Sequence, residues 1–210
     1  MELIQIAPNK EADNYITTTN IKYHARIRGL LSNSFTEDSL RNQEPLIEAH
    51  ANLLVSQFRK IASSPSGGRV DMTSWFNFFT MDVIGDLAFG ESFHCLENGE
   101  YHHWVKTLFD FVKGMSIAAA PRYYPTTEFL FEKLMPRSIL ESQRRHTEYA
   151  NRMINRRLDS KVDRPDFITP FMKKNANFET VSREEILSTF GFIIVGGSET
   201  SATALTGVLK

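Results

Sequence analysis

Ser182-Arg183-Glu184-Glu185-Ile186-Leu187-Ser188-Thr189-Phe190-Gly191-Phe192-Ile193-Ile194-Val195-Gly196-Gly197-Ser198-Glu199-Thr200-Ser201-Ala202-Thr203-Ala204-Leu205 is the stretch on which the fold turns. Ser182 followed by Glu185 has the form of a capping box. Apolar positions then recur at Ile186, Phe190, Ile193/Ile194, Ala204/Leu205 and Val208, a spacing that predicts one long helix. Gly191, Gly196 and Gly197 lie in its interior, where each costs about 1 kcal/mol relative to Ala in an exposed helix. Glycine removes side-chain bulk, so a flat or bulky body can lie against the backbone there. Glu199 and Thr200 follow at once, and the Thr200 hydroxyl can bond back to the Gly196 carbonyl and loosen the helix locally. Two explanations stand. One is a small-molecule site pressed on the helix. The other is a helix crossing whose glycines permit close approach, with Glu199 solvated and Thr200 merely polar.

Around this stretch, the 210 residues are 41% hydrophobic and include 16 Phe, enough for one sizeable core. A formal net charge of −1, with neither half strongly basic or acidic, implies no nucleic-acid partner. The single Cys95 excludes an internal disulfide framework and a multi-cysteine metal site. Residues 1–20 contain no long apolar run, so neither a signal peptide nor a transmembrane anchor is expected within them.

Working outward, Thr19 or Asn20 can cap a helix through Ile21, Ala25, Ile27, Leu30 and Leu31. On it His24 and Arg28 share a face and can hold an anion such as a carboxylate, or simply be a surface His and a paired Arg. Phe35 to Leu40 reads as a break and a new N-cap, with Pro45 in the first turn of the next helix and core positions at Leu46, Ile47, Leu53, Leu54, Phe58 and Ile61. Ser63-Ser64-Pro65-Ser66-Gly67-Gly68 is a surface loop. Asp71 or Thr73 starts a strongly apolar helix stopped by Gly90. Asp82 and Asp86 on that helix read as its solvated or hydrogen-bonded edge, against the alternative of a carboxylate pair.

His94-Cys95 and His102-His103 fit none of the usual zinc spacings, and no metal site is expected. Trp104, Val105, Leu108, Phe109, Phe111 and Val112 continue as a helix broken by Pro121 to Pro125. A further helix near Arg137 to Ser160 carries Arg144-Arg145 and Arg156-Arg157 among Glu141, Glu148 and Asp159, a mixed-charge face. Asp163-Arg164-Pro165-Asp166 ends it.

Gly196-Gly197-Ser198-Glu199-Thr200 resembles the oxygen-activating motif in the long central helix of the haem-thiolate monooxygenases, the cytochromes P-450. His24-Ala25-Arg26-Ile27-Arg28 is similar to the fungal form of the early helix that binds haem propionates. Asp82 to Phe93 is similar to a segment frequent in fungal members, and Arg164-Pro165-Asp166-Phe167 fits the approach to the central helix. The fungal secondary-metabolism members, of the trichothecene-hydroxylase type, are nearest in style.

The resemblance implies an all-α, mainly helical chain, with residues 1–210 forming one partial domain that runs from the propionate-binding helix to the central helix and lacks most of the family's sheet. It implies haem b as cofactor, His24 and Arg28 on its propionates, and Gly196 and Gly197 admitting the porphyrin. Thr200 and Glu199 would deliver protons to the reacting oxygen, and Ile193 would touch substrate. The activity implied is insertion of one oxygen atom from O2 into a small hydrophobic substrate, with NADPH-cytochrome reductase as partner and the endoplasmic reticulum membrane as location; a chain with no anchor would be cytoplasmic. The family's iron ligand is a Cys in a glycine-containing loop after the central helix. Ser92-Phe93-His94-Cys95-Leu96-Glu97 does not match that loop, so the isolated chain is expected to be inactive. Glu141-Ser142-Gln143-Arg144 matches the letters of the family's Glu-x-x-Arg but reads as a surface pair. The alternative function is a non-catalytic helical remnant that binds a partner or nothing.

Overall fold

The computed structural model describes residues 15–16, 18–65, 68–105, 107–108, 137–160, 162–175 and 177–209. No strand occurs among them. The helices are α1 (Ile21–Leu31), α2 (Glu37–Ala62), α3 (Met72–Phe89), the short α4 (Cys95–Asn98), α5 (Arg137–Asp159), α6 (Ile168–Lys173) and α7 (Arg183–Val208). The anticipated helix at Trp104 is present at 103–105 and 107–108; its continuation through Phe109, Phe111 and Val112, and the break at Pro121 to Pro125, lie outside the described residues, as do Ser66 and Gly67 of the surface loop.

Local signals set the ends of the main helices. Asn20 caps α1 by accepting from Lys22 N and Tyr23 N, Asp71 caps α3 by accepting from Thr73 N, and Gly90 ends α3 in the left-handed region at φ 79°. Thr36 caps α2, so that helix begins at once with Glu37, and Pro45 falls inside it rather than in its first turn. Pro45 is on the exposed side of α2, where the carbonyl it leaves unpaired can bond water.

The core forms where α7 lies along α3, the most extensive helix–helix contact among the described residues. On α7 the side chains of Ile186, Phe190 and Ile194 are wholly buried, and Ala202 nearly so. The buried line therefore advances by four residues through Ser198 to Ala202. Each step of four covers about 400° of helix, so the line winds slowly round α7, as a ridge packed against a neighbouring helix does. Ala204, Leu205 and Val208, anticipated on the apolar stripe, are exposed instead. α3 supplies Phe78, Met81, Ile84, Leu87, Ala88 and Phe89 to the same core.

A second, polar interior joins α2, α3, α5 and the turn before α6. Arg157 donates to Asp166 at 2.6 Å, to Thr169 Oγ1 at 2.8 Å and to the Val162 carbonyl at 3.0 Å. Arg164 donates to the Gly90 carbonyl at 2.6 Å and to Asp86, whose other oxygen meets His50 Nε2 at 2.9 Å. Arg157 is thus buried, not part of the solvated mixed-charge face anticipated for α5. Asp82 and Asp86 take the hydrogen-bonded alternative: Asp82 is fully buried and accepts from Cys95 N and Leu96 N. Burial works to raise the Asp86 pKa, but the His50 bond and Arg164 outweigh it, holding the carboxyl below its usual range. Arg144 pairs on the surface with Glu141 at 2.7 Å and Glu148 at 2.6 Å.

Candidate functional site

The capping box at the start of α7 is complete. Ser182 Oγ accepts from Glu185 N, and the Glu185 carboxylate accepts from Ser182 N at 2.7 Å. The same carboxylate receives Arg26 of α1 at 2.5 Å, and Arg26 also donates to the Thr180 carbonyl. Arg26 lies two residues from both His24 and Arg28, so it points away from their shared face. It ties α1 to the N-terminus of α7 and leaves that face free. Its anchoring role was missed because the resemblance directs attention to the residues on either side.

His24 is half-buried with its ring stacked on Tyr15 at 5.3 Å, and Arg28 is exposed in the last turn of α1. Neither has a hydrogen-bond or ion-pair partner among the described residues, so both keep donor capacity for an anion. No hydrogen bond or ion pair joins them to Gly196, Glu199 or Thr200 among those residues.

Two adjacent glycines of α7 face different surroundings. A Cβ built on Gly197 would meet the Ile84 side chain of α3 at 2.5 Å, so glycine there permits close helix approach. A Cβ built on Gly196 would meet nothing within 4 Å among the described residues. Thr200 Oγ1 donates to the Gly196 carbonyl at 2.5 Å, as its position one turn later predicts. The helix stays α-helical throughout, without the loosened turn anticipated there. Gly196, Glu199 and Thr200 are all exposed, and Thr203 and Gly207 extend the same open side. These last two recur at steps of three and four from Thr200, a helical periodicity that could have drawn them into the site. Glu199 is close enough to Tyr101 that, after burial itself, its charge is among the causes pushing the phenol pKa up. Ile193, one turn before Gly197, is half-buried against the core.

The face at Gly196 has no side-chain bulk and carries the Thr200 hydroxyl and the Glu199 carboxylate, room enough for a flat group. A thiolate is not part of it. Cys95 is buried, its Sγ accepts from His102 N at 3.4 Å, and burial pushes the thiol pKa up to about 12, so it stays protonated near neutrality. Among the described residues no group of His, Cys, Asp and Glu is arranged to hold a metal ion.

The scaffold is a helical one in which α7 packs along α3 on one side and leaves Gly196, Glu199 and Thr200 exposed on another. The cytochrome P-450 family model matches residues 4–209. The chain is 36% identical over 192 residues to cytochrome P-450 monooxygenase lcsI of Purpureocillium lilacinum, covering 91% of this chain and 37% of that protein. It is 36% identical over 209 residues to trichothecene C-15 hydroxylase of Fusarium sporotrichioides, covering 97% of this chain and 41% of that one. Averantin hydroxylase of Dothistroma septosporum is 34% identical over 186 residues, 89% of this chain and 35% of that one. The crystal structure of a cytochrome P-450 superposes with a TM-score of 0.73 at 17% identity, over 98% of this chain and 50% of its own. The chain belongs to the cytochrome P-450 family, a family of haem-iron proteins, and spans about two fifths of the length of these curated relatives.

Proposed function

We propose that this chain is the haem-cradling portion of a monooxygenase that inserts one oxygen atom from O2 into a small hydrophobic substrate, in fungal secondary metabolism. The observation that carries the proposal is the open surface at Gly196, bordered by the Thr200 hydroxyl and the Glu199 carboxylate. The hydroxylase names of two relatives, trichothecene C-15 hydroxylase and averantin hydroxylase, support the substrate class. Haem b, when bound, supplies the oxygen chemistry.

The residues of this chain prepare that chemistry. His24 and Arg28 would hold the propionates by charge-assisted hydrogen bonds. Gly196 would leave room for the porphyrin against α7, while Gly197 permits the close approach of α7 to Ile84 on α3. Thr200, whose proton is engaged by the Gly196 carbonyl, keeps its lone pairs to accept a hydrogen bond from water on the open side; handing its own proton on requires that back-bond to open, after which the water's proton replaces it. Glu199 gathers protons from water at the mouth, and Ile193 presents an apolar surface to substrate. Cys95, buried and protonated near neutrality, would not supply a thiolate to the haem. In this reading the reducing partner is a NADPH-cytochrome reductase and the enzyme works at the endoplasmic reticulum membrane. No helix among the described residues is long and apolar enough to cross a membrane.

Haemin titrated into the purified chain is expected to bind, and His24→Ala with Arg28→Ala to weaken uptake. After reduction under carbon monoxide, no thiolate-type Soret band should form. A thiolate-type band would make Cys95 the ligand and overturn the assignment. Absence of any uptake would favour a second reading, a non-catalytic helical protein that binds a partner. The burial of Cys95 and the unbroken helix at Thr200 are the observations on its side.

A further inference from the structure

Where α5, α6 and α7 converge, the surface opens into a hollow of about 530 Å³. Its floor is apolar, formed by Leu158, Ile168, Met172 and Phe178, and its lip carries Asp159, Asp163, Lys173 and Arg183. Nothing in the proposed chemistry uses it. Arg183 opens α7 and Thr200 lies 17 residues along, so roughly 25 Å of helix separates the hollow from the open glycine face.

Three features mark the hollow as a built site. Phe178 has φ 57°, a left-handed conformation that a bulky aromatic residue rarely adopts. The buried Asn175 holds it there, donating to the Val181 carbonyl at 2.7 Å and accepting from Thr180 N and Val181 N at 3.0 Å each. Strain of this kind persists where the surroundings enforce it, and here it sets an aromatic ring in the floor. Second, Arg183 is positioned by Asn155, with Nε donating to Oδ1 at 2.5 Å, and by Asp159 at 2.8 Å. Its other terminal nitrogen, Nη1, has no partner among the described residues. Third, Lys173 meets Asp163 at 3.1 Å with both side chains about two-thirds exposed, an ion pair weak enough to be exchanged for a ligand anion.

We infer that this hollow binds an amphipathic carboxylate, its alkyl body over Leu158, Ile168, Met172 and Phe178 and its carboxylate on Arg183 Nη1 and Lys173. A guanidinium held in place by its neighbours loses little freedom when a carboxylate docks, and the apolar floor accepts a chain of about ten carbons.

The test is calorimetric titration of decanoate into the full chain and three variants, each checked by its thermal melt. Saturable one-to-one binding is expected. Met172→Trp, which fills the floor, and Arg183→Gln, which removes the cation, should each weaken it about tenfold or more, and Lys173→Gln about threefold. Gly196→Leu, on the distant face, should leave it unchanged. Non-saturable binding, binding indifferent to Met172→Trp and Arg183→Gln, or binding lost only in Gly196→Leu would overturn the inference. Met172→Trp keeps the outcome decisive should Arg183→Gln disturb the start of α7.

Discussion

The closed and open sides of this molecule use the same kinds of residue for opposite ends. On the closed side, Gly197 brings α7 within contact of Ile84, and charged groups pair with one another, Arg157 with Asp166 and Arg164 with Asp86. On the open side, a Cβ at Gly196 would meet nothing within 4 Å among the described residues, and Glu199 and Thr200 are exposed; His24 and Arg28 of α1 likewise have no hydrogen-bond or ion-pair partner among those residues. Glycine and charge are therefore not signatures of a site by themselves. What sets the candidate site apart is that Gly196, Glu199 and Thr200 are exposed, whereas the glycine and charges of the closed side are packed or paired.

The largest expected effect is on the closed side. Asp166→Ala leaves Arg157 buried without its carboxylate and should destabilise the chain by about 3–5 kcal/mol. Urea denaturation measures it; a loss under about 1 kcal/mol would mean that the network is loosely held and the contrast between the two sides overdrawn.

His146 sharpens the contrast through pH. It stacks on Trp104 at 5.2 Å, and burial pushes its pKa down from 6.5 to about 4. The unfolded chain then binds a proton that the folded chain refuses, so this stability is fully present above about pH 6.5 and drains away as pH falls toward 4. The contribution is about 3 kcal/mol across that window, and His146→Phe should remove that part of the pH dependence. A variant as acid-sensitive as the parent over that range would show that the ring is not shielded in solution.

On the open side, Thr200→Val loses only a back-bond within an exposed turn, so thermal melting should register about 0.5 kcal/mol or less. A loss comparable to that of Asp166→Ala would make Thr200 a structural residue and not a presented one.

Much of this was legible where the signal is local. The capping box at Ser182 and Glu185, the caps at Asn20 and Asp71 and the stop at Gly90 each lie within a few residues of the backbone they satisfy. The back-bond from Thr200 to the Gly196 carbonyl was legible for the same reason. The pairing of Arg164 with Asp86, 78 positions apart, was not, because a charge does not name a distant partner. Nor was the buried role of Arg157, which in sequence is indistinguishable from its exposed neighbour Arg156. The difference between Gly196 and Gly197 was likewise hidden: consecutive residues point about 100° apart, and which faces α3 depends on the register of two helices.

That difference supports the central claim, that α7 is packed on one side and presented on the other. Urea denaturation of Gly196→Ala and Gly197→Ala side by side tests it most directly. Gly196→Ala adds a methyl in open space and should raise stability by about 0.5–1 kcal/mol. Gly197→Ala forces its methyl into Ile84 and should lower stability by about 1–2 kcal/mol once the helix-propensity gain is set against overpacking. Midpoints that move in opposite directions are the result this account requires; midpoints that move together would contradict it.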